Sequence, residues 1–109
     1  MISDDEVEKA LDYLRDNGDA AAQAKANRIY LVEYRKVKKA ELMKQSNHEA
    51  TNAQETFAYA HSEYKEFLLG LKEAVYQDAK HDFMREAANA KIEAWRTQQA
   101  NQRTMGKIT

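Results

Sequence analysis

The chain has 109 residues, enough for one domain, with 32% charged residues, 43% apolar residues and a net charge of −1. It contains no cysteine, which excludes disulfides, thiolate metal sites and cysteine nucleophiles. No run of about 18 apolar residues occurs and the first residues are acidic, so we expect neither a membrane span nor a secretory signal. We therefore predict a cytoplasmic protein.

Charge alternates in blocks along the chain. The net charge is −5 over residues 1–20, +5 over residues 21–45, −4 over residues 46–86 and +3 over residues 87–109. Blocks of opposite sign indicate neighbouring helices or neighbouring subunits that attract one another. The alternative is that a basic face is reserved for a polyanion.

Helix-breaking residues are scarce, because proline is absent and glycine occurs three times. Ser3 is the expected N-cap of a first helix over about 3–17, in the capping-box pattern Ser-x-x-Glu. Asn17-Gly18 is expected to end that helix in a left-handed cap. Asp19 then caps a second helix over about 19–45, whose apolar stripe includes Ala22, Ala26, Ile29, Tyr30, Val37, Ala40 and Met43, broadened by Leu31, Tyr34 and Leu42.

A polar loop is predicted over about 46–61, containing a short helical turn over 56–60. Ser62 is the expected N-cap of a long helix over about 62–103, and a frayed tail reaches residue 109. The predicted apolar stripe of the long helix is Tyr64, Leu68, Leu71, Val75, Ala79, Phe83, Ala87, Ala90 and Ala94. Its mean spacing is about 3.75 residues, which does not predict a left-handed heptad coiled coil.

The predicted helix lengths are unequal, and this inequality favours self-association. A helix over 62–103 spans roughly 60 Å and a helix over 19–45 roughly 40 Å, so an antiparallel pair leaves about 20 Å of the longer arm uncovered. That overhang carries Ile92 and Trp95. We therefore predict a homo-oligomer with contacts at Phe83, Ile92 and Trp95.

Catalytic and metal-binding patterns are weak. Asp78 and His81 lie one helical turn apart, but a di-iron bundle needs two such units and further carboxylates, so we interpret them as a solvated polar patch. No Gly-x-Ser-x-Gly elbow or glycine-rich phosphate loop occurs. We predict no catalytic residues, no metal site, no cofactor, no small-molecule substrate and no enzymatic activity.

The basic second helix is the strongest functional signal. A row of cations interleaved with tyrosines can follow phosphates and stack on unpaired bases. The alternative is that the tyrosines are core residues and the lysines pair with acidic neighbours. The predicted nucleic-acid-binding residues are Arg28, Tyr34, Arg35, Lys36, Lys38, Lys39 and Lys44.

The order of features over about residues 20–90 resembles small helical phage and prophage proteins, in particular recombination mediators of the UvsY type. The residues that carry the resemblance are Asn27, Tyr30, Tyr34, Lys38, Lys39, Leu42, Met43, Ser62, Glu63, Tyr64, Leu68, Leu71 and Val75. The resemblance implies a helical oligomer that binds single-stranded DNA and helps to load a recombinase in a bacterial host cell. The near-neutral charge and the tail rich in Gln and Asn depart from that pattern.

We therefore predict an all-α protein, built as a long antiparallel helical hairpin with a short N-terminal helix and assembled into a helical homo-oligomer. The expected function is that of a non-enzymatic accessory of phage-type DNA recombination or replication, binding single-stranded DNA or a recombination protein. One alternative is a protein-only adaptor or inhibitor that acts through charged helical faces. Another is a secreted helical-hairpin effector, although only Leu69-Gly70-Leu71 approaches the Trp-x-Gly turn expected of that class.

Overall fold

A computed structural model of the chain describes residues 1–108 and contains three α-helices: α1 (Asp4–Gln45), α2 (Thr51–Ala60) and α3 (Ser62–Ile108). No strand occurs among the described residues. The predicted all-α class and the pairing of two long antiparallel helices are confirmed. Thr109, the end of the predicted tail, lies outside the described residues.

Helix α1 runs without a break through the position where the sequence predicted its end. The predicted Ser3 cap is present, since the Ser3 Oγ accepts a hydrogen bond from the Glu6 backbone N–H at 3.1 Å. The predicted break at Gly18 is wrong, because Gly18 is helical and has no positive φ. A glycine costs a helix interior only about 1 kcal/mol, which the packing of α1 on both sides of Gly18 offsets.

The segment between the long helices is more ordered than predicted. Helix α2 occupies ten residues of the predicted 46–61 loop, leaving an irregular connection over 46–50 and His61 between α2 and α3. The predicted cap at Ser62 is also wrong, because Ser62 is the first residue of α3. His61 is the N-cap instead: its Nδ1 accepts from the Glu63 backbone N–H at 3.0 Å, and its carbonyl accepts from Lys65.

Many of the buried and half-buried residues of α3 follow a heptad spacing. Along α3 they are Tyr64, Phe67, Leu71, Ala74, Asp78, His81, Ala88, Ile92 and Trp95, all buried or half-buried. From Tyr64 to His81 the steps alternate between three and four residues, which is the heptad pattern, whereas the predicted stripe had mostly steps of four. Most of the predicted α3 stripe, including Leu68, Val75 and Phe83, is exposed. We call the buried side of each long helix its seam. The error arose because polar residues such as Asp78 lie on the seam of α3, so that a search for apolar residues selected a different face.

The described residues pack as two compact regions, where the sequence predicted a single domain. The central region is Gln23–Asp78, and the terminal region is Met1–Ala22 with the described part of Ala79–Thr109. In the central region, α2 packs where α1 and α3 meet, and Leu42, Ala58 and Tyr64 form a buried cluster with Met43 against it. This cluster draws one residue from each of the three helices, which fixes the chain reversal.

The terminal region pairs the start of α1 with the end of α3. Its buried residues are small: Val7, Ala10 and Ala88. The Trp95 Nε1–H donates to the Asp4 Oδ1 at 2.8 Å. The Gln98 side chain donates to the Ile2 carbonyl at 2.9 Å and accepts from its N–H at 3.0 Å. These contacts establish the antiparallel register of the two segments.

Candidate interaction surfaces

The predicted DNA-binding residue Arg28 is engaged inside the central region. It lies on the α1 seam, and its Nε donates to the Oδ2 of Asp78 on α3. Asp78 is 6% exposed, so the carboxylate depends on this guanidinium for its neutralisation. The prediction that Asp78 belongs to a solvated patch is therefore wrong, and Arg28 is a structural residue of the hairpin.

Two of the predicted lysines join elements of the central region. The Lys38 Nζ lies 3.3 Å from the Glu63 Oε2 at the start of α3. The Lys39 Nζ lies 3.4 Å from the Glu55 Oε1 on α2 and 5.0 Å from the ring centre of Tyr59. A hydrogen bond with Tyr59, followed by the charge of Glu55, raises the pKa of Lys39 above its ordinary value. Phosphates would have to displace these carboxylates.

The remaining predicted cations face solvent. Lys36 lies 3.4 Å from the Glu33 Oε2 one turn earlier on α1, in a pair that is open to water. Arg35 and Lys44 are exposed, and within residues 1–108 neither has an ion pair or a hydrogen bond. Only these two of the predicted cations are unengaged.

The tyrosines of α1 differ in availability. Tyr34 is half-buried, its ring lies 5.8 Å from that of Tyr30 and 5.9 Å from that of Phe67, and its hydroxyl donates to Glu41. The negative charge of Glu41 raises the pKa of Tyr34 above its ordinary value. Tyr34 therefore belongs to an aromatic cluster between α1 and α3, whereas Tyr30 is 61% exposed.

The predicted oligomer contacts separate into two kinds. Ile92 and Trp95 are half-buried, and Trp95 bonds Asp4 of its own chain. Ile92 and Trp95 do not lie on the uncovered overhang that the sequence predicted, because α1 does not end at Gly18 and its first turn reaches Trp95. Phe83 is 72% exposed and stays a predicted contact.

The structure also exposes two apolar helix faces in the central region that the sequence analysis did not distinguish. The α1 outer face lies opposite the seam and comprises Ala26, Ile29, Tyr30, Glu33, Lys36, Val37 and Ala40. The α3 outer face has Leu69 and Tyr76 at its centre and Lys65, Glu66, Lys72 and Glu73 at its edges. All of these side chains are exposed. A heptad plot of each helix would have separated these faces from the seams.

A metal centre and a membrane-spanning helix are two further kinds of site. Across residues 1–108, no three potential metal ligands come together, and the described helices include none that is long and apolar enough to cross a membrane. Comparison with known proteins gives no guide: no protein-family model matches the chain, nor does any curated protein or solved structure.

Proposed function

We propose that this protein is a non-enzymatic adaptor that binds an acidic, amphipathic helical segment of another protein through the α1 outer face. The observation that carries the proposal is the contrast between two sides of α1. On the seam side, Arg28, Lys38 and Lys39 are held by carboxylates of the same chain. On the outer face, Ile29, Tyr30 and Val37 are exposed in the described part of the chain.

The α1 outer face has the form that a helical partner needs. At 100° per residue, Ala26, Glu33 and Ala40 lie along its centre, with Ile29 on one edge and Tyr30 and Val37 on the other. The central Glu33 carboxylate is paired with Lys36. Amphipathic helices dock on exposed apolar side chains at helical spacing. The face also carries Lys36, and Lys44 follows Val37 by seven residues on the same line of the helix. A partner with acidic residues beside its apolar stripe complements this charge.

A second candidate function is the phage-type DNA recombination or replication accessory that the sequence suggested. It is favoured by the unpaired Arg35 and Lys44 and by the exposed ring of Tyr30, which offers a stacking surface for a base. It is disfavoured by the engagement of Arg28, Lys38 and Lys39. Two free cations supply only a weak attraction for a phosphate backbone, because affinity grows with the number of phosphates that are neutralised.

A display selection tests the adaptor proposal. Random peptides are selected on the wild-type protein and counter-selected on the variant Ile29→Glu/Val37→Glu. We expect enriched peptides with apolar residues at three- and four-residue spacing and with acidic flanks, binding the variant at least about tenfold more weakly. The matched control is Leu69→Glu/Tyr76→Glu, which makes the same chemical change on α3 and is expected to retain binding. Enriched peptides that bind all three proteins equally would refute this use of α1.

Fluorescence anisotropy with labelled single-stranded DNA tests the second candidate. At about 50 mM salt, a condition that favours phosphate contacts, the adaptor proposal predicts no saturable binding. Saturable binding that Arg35→Glu/Lys44→Glu abolishes would instead establish a nucleic-acid role. The variant Lys65→Glu/Lys72→Glu, with the same change of charge on α3, is the control for net charge.

A further inference from the structure

The α3 outer face combines an apolar line with a charge pattern that α1 lacks. Leu69 is 66% exposed and Tyr76 is 55% exposed. They are seven residues apart and therefore lie on one line of the helix, and the groove between them is lined by Lys72 and Glu73. Leu69 and Tyr76 are the two most exposed large apolar side chains of α3 in the central region.

The charges beside this line are sorted by sign. At 100° per residue, Lys65 and Lys72 lie on one edge of the Leu69–Tyr76 line, and Glu66 and Glu73 lie on the other edge. In the described part of the chain, the side chains of Lys65, Glu66 and Lys72 make no ion pair or hydrogen bond, and the Glu73 carboxylate accepts only from the Gln77 side chain, one turn away. The charges of this face are thus unused within the chain, unlike Lys38 and Lys39 on α1.

We infer that the α3 outer face binds the same face of a second copy of this chain, with the two α3 helices parallel. A two-fold axis parallel to α3 places the lysine edge of each copy against the glutamate edge of the other. It also brings Leu69 beside the partner's Leu69 and Tyr76 beside the partner's Tyr76. In an antiparallel pair, the lysine edges would face each other and repel.

This interface is distinct from the α1 outer face, so each copy of the dimer retains a free adaptor surface. Pairing two such surfaces strengthens binding to a partner that carries two acidic helical segments. The inference does not depend on the adaptor proposal, because it concerns α3 alone. An experiment that contradicts the dimer therefore leaves the adaptor proposal standing, and the reverse also holds.

Sedimentation equilibrium over a range of concentrations measures the self-association. We expect a dimer whose dissociation constant rises at least about tenfold in Leu69→Glu/Tyr76→Glu. The matched control Ile29→Glu/Val37→Glu is expected to leave the constant unchanged. A wild-type protein that is still monomeric at high micromolar concentration would overturn the inference.

Charge reversal tests the pairing of the edges. Lys65→Glu/Lys72→Glu makes both edges acidic and is expected to weaken the dimer by about tenfold. Adding Glu66→Lys/Glu73→Lys exchanges the two edges completely and should restore the wild-type dissociation constant. A fully exchanged variant that dimerises no better than the double variant would contradict the edge-to-edge arrangement. Far-UV circular dichroism of each variant checks that its helices are intact.

Disulfide cross-linking determines the orientation, since the natural chain has no cysteine. A parallel pair predicts that Leu69→Cys and Tyr76→Cys each form a disulfide-linked dimer alone. A mixture of the two variants should form no 69–76 cross-link, because the positions are about 10 Å apart along the helix and a disulfide does not span that distance. Cross-linking that occurs only in the mixture would show an antiparallel pair and overturn the inference.

Discussion

The central and terminal regions are built from the same two helices but are held together by different forces. In the central region, α2 adds a third element, and ion pairs link α1 to α3 and to α2. In the terminal region, pairs such as Lys9–Asp5, Arg15–Asp12 and Arg96–Glu93 join neighbours on one helix. The buried side chains there are mostly small. Side-chain size and the number of packed elements, rather than helix length, therefore set how strongly each region resists unfolding.

The largest expected effect comes from the core of the central region. Leu42 is completely buried in contact with Ala58 and Tyr64. We expect Leu42→Ala to lower the free energy of unfolding by about 3 kcal/mol, since it removes buried methyl groups and leaves a cavity. The matched change Val7→Ala in the terminal region should cost about 1 kcal/mol, because it removes less volume from a thinner core. Urea denaturation measures both. Equal losses would show that the two cores contribute alike.

The buried ion pair of the central region is next in size. We expect Arg28→Met to lower the free energy of unfolding by about 2–3 kcal/mol, because the Asp78 carboxylate is left buried without its partner. The double variant Arg28→Leu/Asp78→Leu should be close to wild type in stability, since an apolar pair needs no neutralisation. A double-mutant cycle by thermal denaturation measures the coupling. If Arg28→Met were as stable as the wild type, water would be solvating the Asp78 carboxylate.

Replacing two of the glycines by alanine is expected to stabilise the protein, by less than the core and ion-pair substitutions destabilise it. A Cβ built at Gly18 or Gly70 meets no atom within 4 Å, and both residues are helical without positive φ. We expect Gly18→Ala and Gly70→Ala each to raise the free energy of unfolding by about 1 kcal/mol. Gly18 is in the terminal region and Gly70 in the central region, so amide hydrogen exchange should show where each gain appears. Destabilisation by Gly18→Ala would indicate the left-handed cap that the sequence suggested.

The smallest expected effect is a loss of stability at alkaline pH, confined to the central region. The pKa values of Tyr34 and Lys39 are both raised in the folded protein, by Glu41 and by Tyr59 respectively. A raised folded pKa gives stability that is complete below the unfolded pKa and is lost as pH rises through the folded pKa. Stability should therefore fall above about pH 10, and less steeply in Tyr34→Phe and Lys39→Met. Urea denaturation measures the free energy of unfolding against pH in the wild type and both variants. The same decrease above about pH 10 in all three would show that Tyr34 and Lys39 do not cause it.

The sequence by itself determined the all-α class, the Ser3 cap and the absence of cysteine chemistry. These follow from local properties: helix propensity, capping hydrogen bonds and the residue types present. It also placed the basic residues on one helix and raised the possibility that acidic neighbours pair with them. The structure supports that alternative for Arg28, Lys38 and Lys39.

Only the tertiary structure decided that α1 continues through Gly18, which stripe is buried and which charges are engaged. Gly18 stays helical because packing of α1 on both sides offsets a cost of about 1 kcal/mol, which local propensity could not reveal. Each helix carries two apolar stripes, and the buried one was selected by its fit to the facing helix, even though it includes Asp78 and Arg28. The position of Trp95 beside Asp4 followed from the uninterrupted length of α1. Burial and pairing are properties of two segments in contact, and neither segment encodes them alone.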